Sequence, residues 1–193
     1  MRKQKQIPIP SMEEITTERK RLKRGVYYRN ALRSTVAVLV VVAAASVLVA
    51  TLFLPILQIS GDSMSPSFND GEIVVLFKSD NFKKGDVVGF YYQGKILLKR
   101  VIAEPGDTVV IDGDGNVYVN TQLLEEDYVT EHSLGDCDVE FPYVVPEQSY
   151  FVLGDKRSNS VDSRSSIIGS IPKDQIIGRI FFRVWPFGKM ALI

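Results

Sequence analysis

Cysteine and histidine each occur only once in this chain of 193 residues, as Cys137 and His132. A single cysteine cannot close a disulfide within the chain, so any folded domain must be stabilised by packing alone. Because a cluster of cysteine and histidine residues is also lacking, the sequence excludes the usual zinc sites, and we predict neither a metal nor a cofactor. A Ser-His-Asp triad would depend entirely on His132, which lies in an acidic stretch typical of an exposed loop.

The chain as a whole lacks a net charge, but residues 1–57 carry a net charge of +7 and residues 58–193 a net charge of −7. At this boundary lies an uncharged run of 23 residues, Thr35 to Leu57. A helix of that length would reach roughly 35 Å, enough to cross a hydrocarbon core of about 30 Å. The run is too long for the apolar region of a cleaved signal peptide, which has about 7–15 residues. We therefore predict a basic tail at 1–34, a transmembrane anchor helix at 35–57 and a folded domain at 58–193.

Seven basic residues come shortly before the apolar run: Arg19, Lys20, Arg21, Lys23, Arg24, Arg29 and Arg33. The first basic residue after the run is Lys78. Because positively charged flanks stay in the cytoplasm, this asymmetry predicts a single-pass protein of the plasma membrane with a cytoplasmic N-terminus and an extracytoplasmic domain. Basic stretches also bind nucleic acid, but beside a membrane span we interpret this one as a topology signal, with the lipid bilayer and no nucleic acid as partner.

After the apolar run the sequence becomes typical of β-strands. Short segments rich in β-branched and aromatic residues lie at 72–77, 86–92, 96–103, 108–112, 116–120, 150–153 and 176–184. Turn signals such as Pro105-Gly106-Asp107 separate them. This spacing predicts a mainly β domain, either a sandwich or a partly closed barrel. Residues 121–149 are acidic and without a clear period, so we predict a surface insert there.

Lys99 lies inside the strand predicted at 96–103, where it shares one face with Leu97 and Val101. Burial among aliphatic side chains disfavours the charged amine and lowers the pKa of a lysine. A neutral amine can take a proton from a serine hydroxyl, whereas a lysine with the ordinary pKa of about 10.4 is almost fully protonated at neutral pH. From the strand alone, Lys99 could equally extend from an edge strand to water or pair with a carboxylate.

Ser63 is the candidate nucleophile, six residues after Leu57 and directly after Gly61-Asp62. The glycine permits a close backbone approach, and Pro66 stiffens the chain that follows. A serine in such a turn can also be no more than a turn residue. A third segment, residues 154–164, is dense in Asp, Arg and Ser, which indicates a local network of ion pairs.

Three motifs, SM-x-P at 63–66, KR-V-I-x-x-PGD at 99–107 and GD-x-R-x-x-S-x-DSR at 154–164, together resemble bacterial type I signal peptidases in their short, single-span form. The resemblance covers about residues 30–187. It implies a mainly β catalytic domain of the signal peptidase type after one N-terminal transmembrane helix. It further implies a serine endopeptidase with a Ser–Lys dyad that removes signal peptides from exported preproteins.

The resemblance also implies roles for individual residues. Ser63 is similar to the nucleophile, Lys99 to the general base, and Ser160 to the hydroxyl that orients the lysine amine. The supporting residues are the ion pair Asp162–Arg164 and the pair Arg100–Asp155. The oxyanion hole would use the Ser63 backbone N–H and the region of Gly61, and the candidates for the substrate pocket are Met64 and Ile102. The apolar residues expected near the site, in contact either with lipid or with the core, are Met64, Phe68 and Trp185.

The chain departs from the family pattern at three positions. Ser67 stands where the family usually has threonine, Lys156 where it usually has asparagine, and Gly61 where some relatives have a serine oxyanion donor, so the second donor stays open. Three alternatives also stay open: a Ser–Lys protease dedicated to one substrate such as a pilin, an inactive membrane-tethered binding homologue, and a LexA-like self-cleaving repressor. The membrane span and the lack of a DNA-binding helix pair weigh against the repressor.

Overall fold

A computed structural model of the chain describes residues 11–193 and divides into two units, one up to Thr51 and one from Leu52 to Ile193. One helix, α1, Met12–Phe53, of 42 residues, makes up the described part of the first unit and extends two residues beyond it. Ser11 caps its start, because the Glu14 N–H donates to the Ser11 hydroxyl (3.2 Å) while the Ser11 N–H donates to the Glu14 carboxylate (2.9 Å). The helix is long and apolar enough to cross a membrane, with a mean hydropathy of 2.6 over its apolar window.

The end of α1 differs from the predicted span at 35–57. The helix ends at Phe53, and residues up to Leu57 do not continue it. Pro55 has no N–H to donate to a preceding turn and disfavours helical geometry in the residue before it. Ile56 and Leu57 pair instead with Val75 and Val74 in a β-sheet. Of the basic tail predicted at 1–34, residues 1–10 lie outside the described part of the chain, and the helix already includes the rest from Met12 onward.

The second unit is mainly β, as predicted. Its strands are β1 Ile56–Gln58, β2 Ile73–Phe77, β3 Val87–Tyr92, β4 Lys95–Ala103, β5 Thr108–Ile111, β6 Val117–Val119, β7 Gln122–Leu123, β8 Tyr143–Val144, β9 Ser149–Leu153, β10 Ile171–Pro172, β11 Ile176–Trp185 and β12 Ala191–Leu192. Short 3₁₀ helices lie at Arg157–Asn159, Lys173–Gln175 and Phe187–Lys189. All seven predicted strands are present within one or two residues of the expected limits.

The strands form two antiparallel sheets. The larger sheet has the order β1-β2-β11-β3-β4-β9-β10, with β12 paired to β11, and the smaller sheet has the order β7-β6-β5-β8. Neither order returns to its first strand in the described residues. One apolar core cluster joins β4 and β9 to the smaller sheet, and includes Ile102, Val109 and Phe151. The functional residues described below lie on β4, on the β1–β2 connection and on the segment after β9.

The segment at 121–149, predicted as a surface insert, is more closely integrated than expected. It supplies β7 and β8, the two edge strands of the smaller sheet, and its Leu124, Leu134 and Phe141 pack against the core cluster. Its Glu126 is buried, although it is an acidic residue in an acidic stretch. The segment therefore completes the second sheet and contributes a buried charge.

Candidate active site

Ser63 lies in the connection between β1 and β2, and this connection is fixed on both sides of the serine. Gly61 has φ = +93°, a left-handed conformation that side chains with a Cβ rarely adopt. Its N–H donates to the Asp70 carboxylate (2.8 Å), so this N–H is occupied and not free to bind an oxyanion. The Ser65 N–H donates to the Asp62 carbonyl (2.9 Å) and closes a turn around Ser63. No hydrogen bond from the Ser63 N–H is formed among residues 11–193.

The side chains of Met64 and Phe68 pack into the core and hold the turn against it. Each is only 2% exposed, and both belong to an apolar cluster with Val74 and Leu76 of β2. Contact of these two side chains with lipid, one of the two expectations, is therefore wrong, because they fill the core under the turn. Trp185, by contrast, is exposed at the end of β11.

Lys99 lies in the middle of β4, opposite Val88 of β3, and its side chain is buried at 3% exposure. Burial lowers the pKa of Lys99, because the charged amine loses its hydration. The nearby carboxylates of Asp162 and Asp155 oppose this by raising the pKa of Lys99, while Arg164 lowers it further. The Lys99 Nζ lies 2.7 Å from the Ser63 Oγ. A buried amine, disfavoured as a cation, is thus within hydrogen-bonding distance of a serine hydroxyl.

A cleft of about 110 Å³ opens onto this pair. Its lining consists of residues 57–61 at the end of β1 and just after it, Ser63, Met64, and residues 96–99 of β4. The two stretches of chain flank the Ser63–Lys99 contact, and their side chains are mainly apolar. Of the two predicted pocket residues, Met64 lines the cleft, whereas Ile102 is buried in the core cluster that faces the smaller sheet.

The predicted ion pairs both form. The Arg100 Nε and Nη2 donate to Asp155 at 2.8 and 2.6 Å, and Nη2 also donates to the Ser67 hydroxyl (3.2 Å). The Arg164 Nε and Nη2 donate to Asp162, each at 2.9 Å. Asp162 in turn accepts the Gly154 N–H at 3.0 Å, so this pair shapes the start of the motif segment at 154–164.

Ser160 is near the site but is not hydrogen bonded to Lys99. Its hydroxyl is buried and has no hydrogen-bond partner among the described residues. Gly154 lies between the two serines: a Cβ at this position would lie 2.2 Å from the Ser160 Oγ and 2.7 Å from the Ser63 carbonyl oxygen. Only glycine allows so close an approach, and the unpartnered hydroxyl remains available for a group in the site.

Sequence reasoning missed a second buried network, made by Arg157, Glu126 and Tyr128. Arg157 and Glu126 form a bidentate ion pair, and their side chains are 1% and 0% exposed. One of the two contacts joins the Arg157 Nη1 to the Glu126 Oε2 at 2.9 Å. The Tyr128 hydroxyl also donates to Glu126 (2.9 Å), and its ring lies 4.0 Å from the guanidinium carbon of Arg100. The sequence held one signal for this network, since the 154–164 segment has three cations but two carboxylates and so needed an outside carboxylate.

Comparisons with known proteins agree on one family. The family model described as signal peptidase, peptidase S26, matches residues 32–185. Signal peptidase IB of Staphylococcus aureus is 37% identical over 151 residues, which cover 68% of this chain and 78% of that protein. Signal peptidase I U of Bacillus subtilis (strain 168) is 34% identical over 148 residues, which cover 68% of this chain and 76% of that protein. A crystal structure of a signal peptidase I from Enterococcus faecalis V583 is matched at 30% identity with a TM-score of 0.43, over 51% of this chain and 96% of that one.

Proposed function

This chain belongs to the peptidase S26 family of signal peptidases, and from that membership we propose that it removes signal peptides from exported preproteins with Ser63 as nucleophile and Lys99 as general base. Members of this family are serine endopeptidases, and so is this chain. The observation that carries the residue assignment is the 2.7 Å distance between the Lys99 Nζ and the Ser63 Oγ at a buried position.

The reaction begins when the Ser63 hydroxyl gives its proton to the neutral Lys99 amine and its oxygen attacks the scissile carbonyl carbon. The carbonyl oxygen takes up negative charge and accepts a hydrogen bond from the Ser63 N–H, which no described residue occupies. As the tetrahedral intermediate collapses, the Lys99 ammonium protonates the leaving amine and the acyl-enzyme remains. Lys99 then takes a proton from water, which attacks the ester and restores Ser63.

The supporting residues hold Ser63 and Lys99 in the geometry that proton transfer requires. The proposed role of Ser160 is to orient the Lys99 amine through a hydroxyl that is already buried and lacks another partner in residues 11–193. The pairs Asp162–Arg164 and Arg100–Asp155 hold the 154–164 segment and the nucleophile turn in place. The substrate would lie as an extended chain along the cleft between residues 57–61 and 96–99.

Members of the family are membrane-anchored, and α1 supplies a helix long and apolar enough to span a bilayer. We propose that the basic residues before the apolar run stay in the cytoplasm and that the β unit lies on the outer side of the plasma membrane. The anchor would hold the enzyme in the same bilayer as the signal segment of its substrate, which raises the effective concentration of the cleavage site.

Cleavage of a preprotein by the full chain in detergent or vesicles tests the assignment. We expect wild type to release a mature protein of the mass set by the signal peptide, and Ser63→Ala and Lys99→Ala to release none. Ser79→Ala and Lys95→Ala are matched controls, because Ser79 is a turn serine and Lys95 an exposed lysine on the same strand as Lys99. Full activity of Ser63→Ala or Lys99→Ala would contradict the dyad.

The same assay separates the alternatives. An inactive wild-type chain would favour a membrane-tethered binding homologue. Cleavage of one preprotein but not of a second, unrelated one would favour a protease dedicated to a single substrate.

A further inference from the structure

Asp62, the residue directly before the proposed nucleophile, is held by two side chains from the 154–164 segment. The Lys156 Nζ forms an ion pair with one carboxylate oxygen of Asp62, and the Asn159 Nδ2 donates to the other at 3.0 Å. The Lys156 side chain pairs with Asp62 across 94 positions of sequence, so this contact closes a long loop.

Lys156 also holds Ser63 itself. Its backbone N–H donates to the Ser63 carbonyl oxygen at 3.0 Å. Lys156 therefore contacts the chain on both sides of the Asp62–Ser63 peptide. Its side chain pairs with the Asp62 carboxylate before the peptide, and its backbone N–H binds the Ser63 carbonyl oxygen after it. This peptide carries the Ser63 N–H, the proposed oxyanion donor, and its orientation determines where the Ser63 hydroxyl points.

We propose that Lys156 is a positioning residue whose ion pair with Asp62 fixes the Asp62–Ser63 peptide, and with it both the nucleophile and the oxyanion donor. The inference rests on the proposed role of Ser63 as nucleophile. A lysine at this position offers a full positive charge on a long side chain.

The charge state of Asp62 supports this pairing. The hydrogen bond from Lys156 is the main reason why the pKa of Asp62 is lowered, so the contact stabilises the ionised carboxylate. The two side chains are 41% and 49% exposed, and pairs so open to solvent add little to the overall stability of a fold. A loss of the pair should therefore appear in the geometry of the turn and in kcat, and not in the unfolding temperature.

The test compares kcat, KM and amide hydrogen exchange for the full chain as wild type, Lys156→Met and Lys156→Arg. We expect Lys156→Met to lower kcat about fivefold with KM unchanged, because Ser63 would less often lie in the orientation needed for attack. Lys156→Arg keeps the cation and should keep kcat. Exchange of the amides at 61–65 should rise in Lys156→Met alone. The matched control is Lys84→Met, because Lys84 is about as exposed as Lys156, pairs with Asp107 at 3.1 Å and has no contact with the nucleophile turn.

Wild-type kcat and unchanged exchange in Lys156→Met would overturn the inference, and so would an equal loss in Lys84→Met. Either result leaves the proposed function intact, because Ser63→Ala would still be inactive. If Ser63→Ala were fully active, the proposed function would fail and the inference with it. If the wild-type chain cleaved nothing, faster amide exchange at 61–65 in Lys156→Met would still support the positioning role of Lys156, and unchanged exchange would refute it.

Discussion

The buried ion pair between Glu126 and Arg157 makes a sharp prediction about stability. Both side chains are almost fully excluded from solvent, and they join the 121–149 segment to the 154–164 segment. Glu126→Leu would leave the guanidinium of Arg157 buried without a counter-charge. Breaking a buried pair from one side costs about 3–5 kcal/mol, because the remaining charge has lost both its hydration and its partner. For a domain of this size that loss lowers the Tm by roughly 10 °C.

Removing both charges should cost less than removing one. In the double variant Glu126→Leu/Arg157→Met the buried charge is gone, and apolar side chains of similar size can replace a buried pair at little cost. Two other hydrogen bonds disappear in it, from Tyr128 to Glu126 (2.9 Å) and from the Arg157 Nε to the Gly154 carbonyl (3.2 Å). At about 1 kcal/mol each, they leave the double variant near 2 kcal/mol below wild type.

Calorimetric unfolding of the full chain in detergent micelles measures both effects. Asp136→Leu is the control, because Asp136 is an exposed acidic residue of the same segment. The reasoning is refuted if the double variant is no more stable than Glu126→Leu, or if Glu126→Leu unfolds at the temperature of Asp136→Leu. A double variant more stable than Glu126→Leu would support a desolvated, coupled pair.

Three further predictions concern the site. Burial lowers the pKa of Lys99 in the folded state, so below pH 10.5 the amine binds a proton more readily in the unfolded chain than in the folded one. This difference favours unfolding, and Lys99→Met should therefore be more stable than wild type at neutral pH. In urea titrations, the difference in unfolding free energy between Lys99→Met and wild type should shrink by about 1.4 kcal/mol per pH unit between the folded-state pKa and pH 10.5. A difference that stays constant with pH would contradict this prediction. The carboxylate of Asp155 raises the pKa of Lys99, so Asp155→Asn should move the acidic limb of the kcat/KM profile to lower pH, and a shift to higher pH would be the wrong sign. Gly154→Ala should abolish cleavage and lower the unfolding free energy by about 1–3 kcal/mol through overpacking, whereas Gly113→Ala, with nothing within 4 Å of its added Cβ, should do neither in the same two assays.

Local pattern was sufficient to predict the strand that carries the base. The alternation in β4 puts Lys99 on one face with its aliphatic neighbours, and the structure has Lys99 buried in that strand. Pattern was not sufficient for β7 and β10, which have two residues each and therefore show no alternation. β1 was hidden in the apolar run, because apolar composition alone does not distinguish a membrane helix from a short strand, and only Pro55 marked the change.

The contacts within the site divide in the same way. The Asp162–Arg164 pair joins residues two positions apart; the charge density of 154–164 predicted a local network of ion pairs, and the family resemblance named this pair. The pairing of Arg157 with Glu126 bridges 31 positions and the contact of Lys99 with Ser63 bridges 36. No local preference sets such distances, since they depend on how the sheets pack. The resemblance to a family suggested the second contact, whereas the first became visible only in the structure.

The central claim is that the Lys99 amine is neutral at the pH at which the enzyme works. Its pKa can be measured directly by NMR on the full chain in detergent micelles, with ¹³C at the lysine ε carbons and Lys99→Met to assign the signal. We predict that the Lys99 signal titrates below the ordinary value of 10.5. A Lys99 signal that titrates at or above 10.5 would contradict the account, because a permanently charged amine cannot take the proton of Ser63.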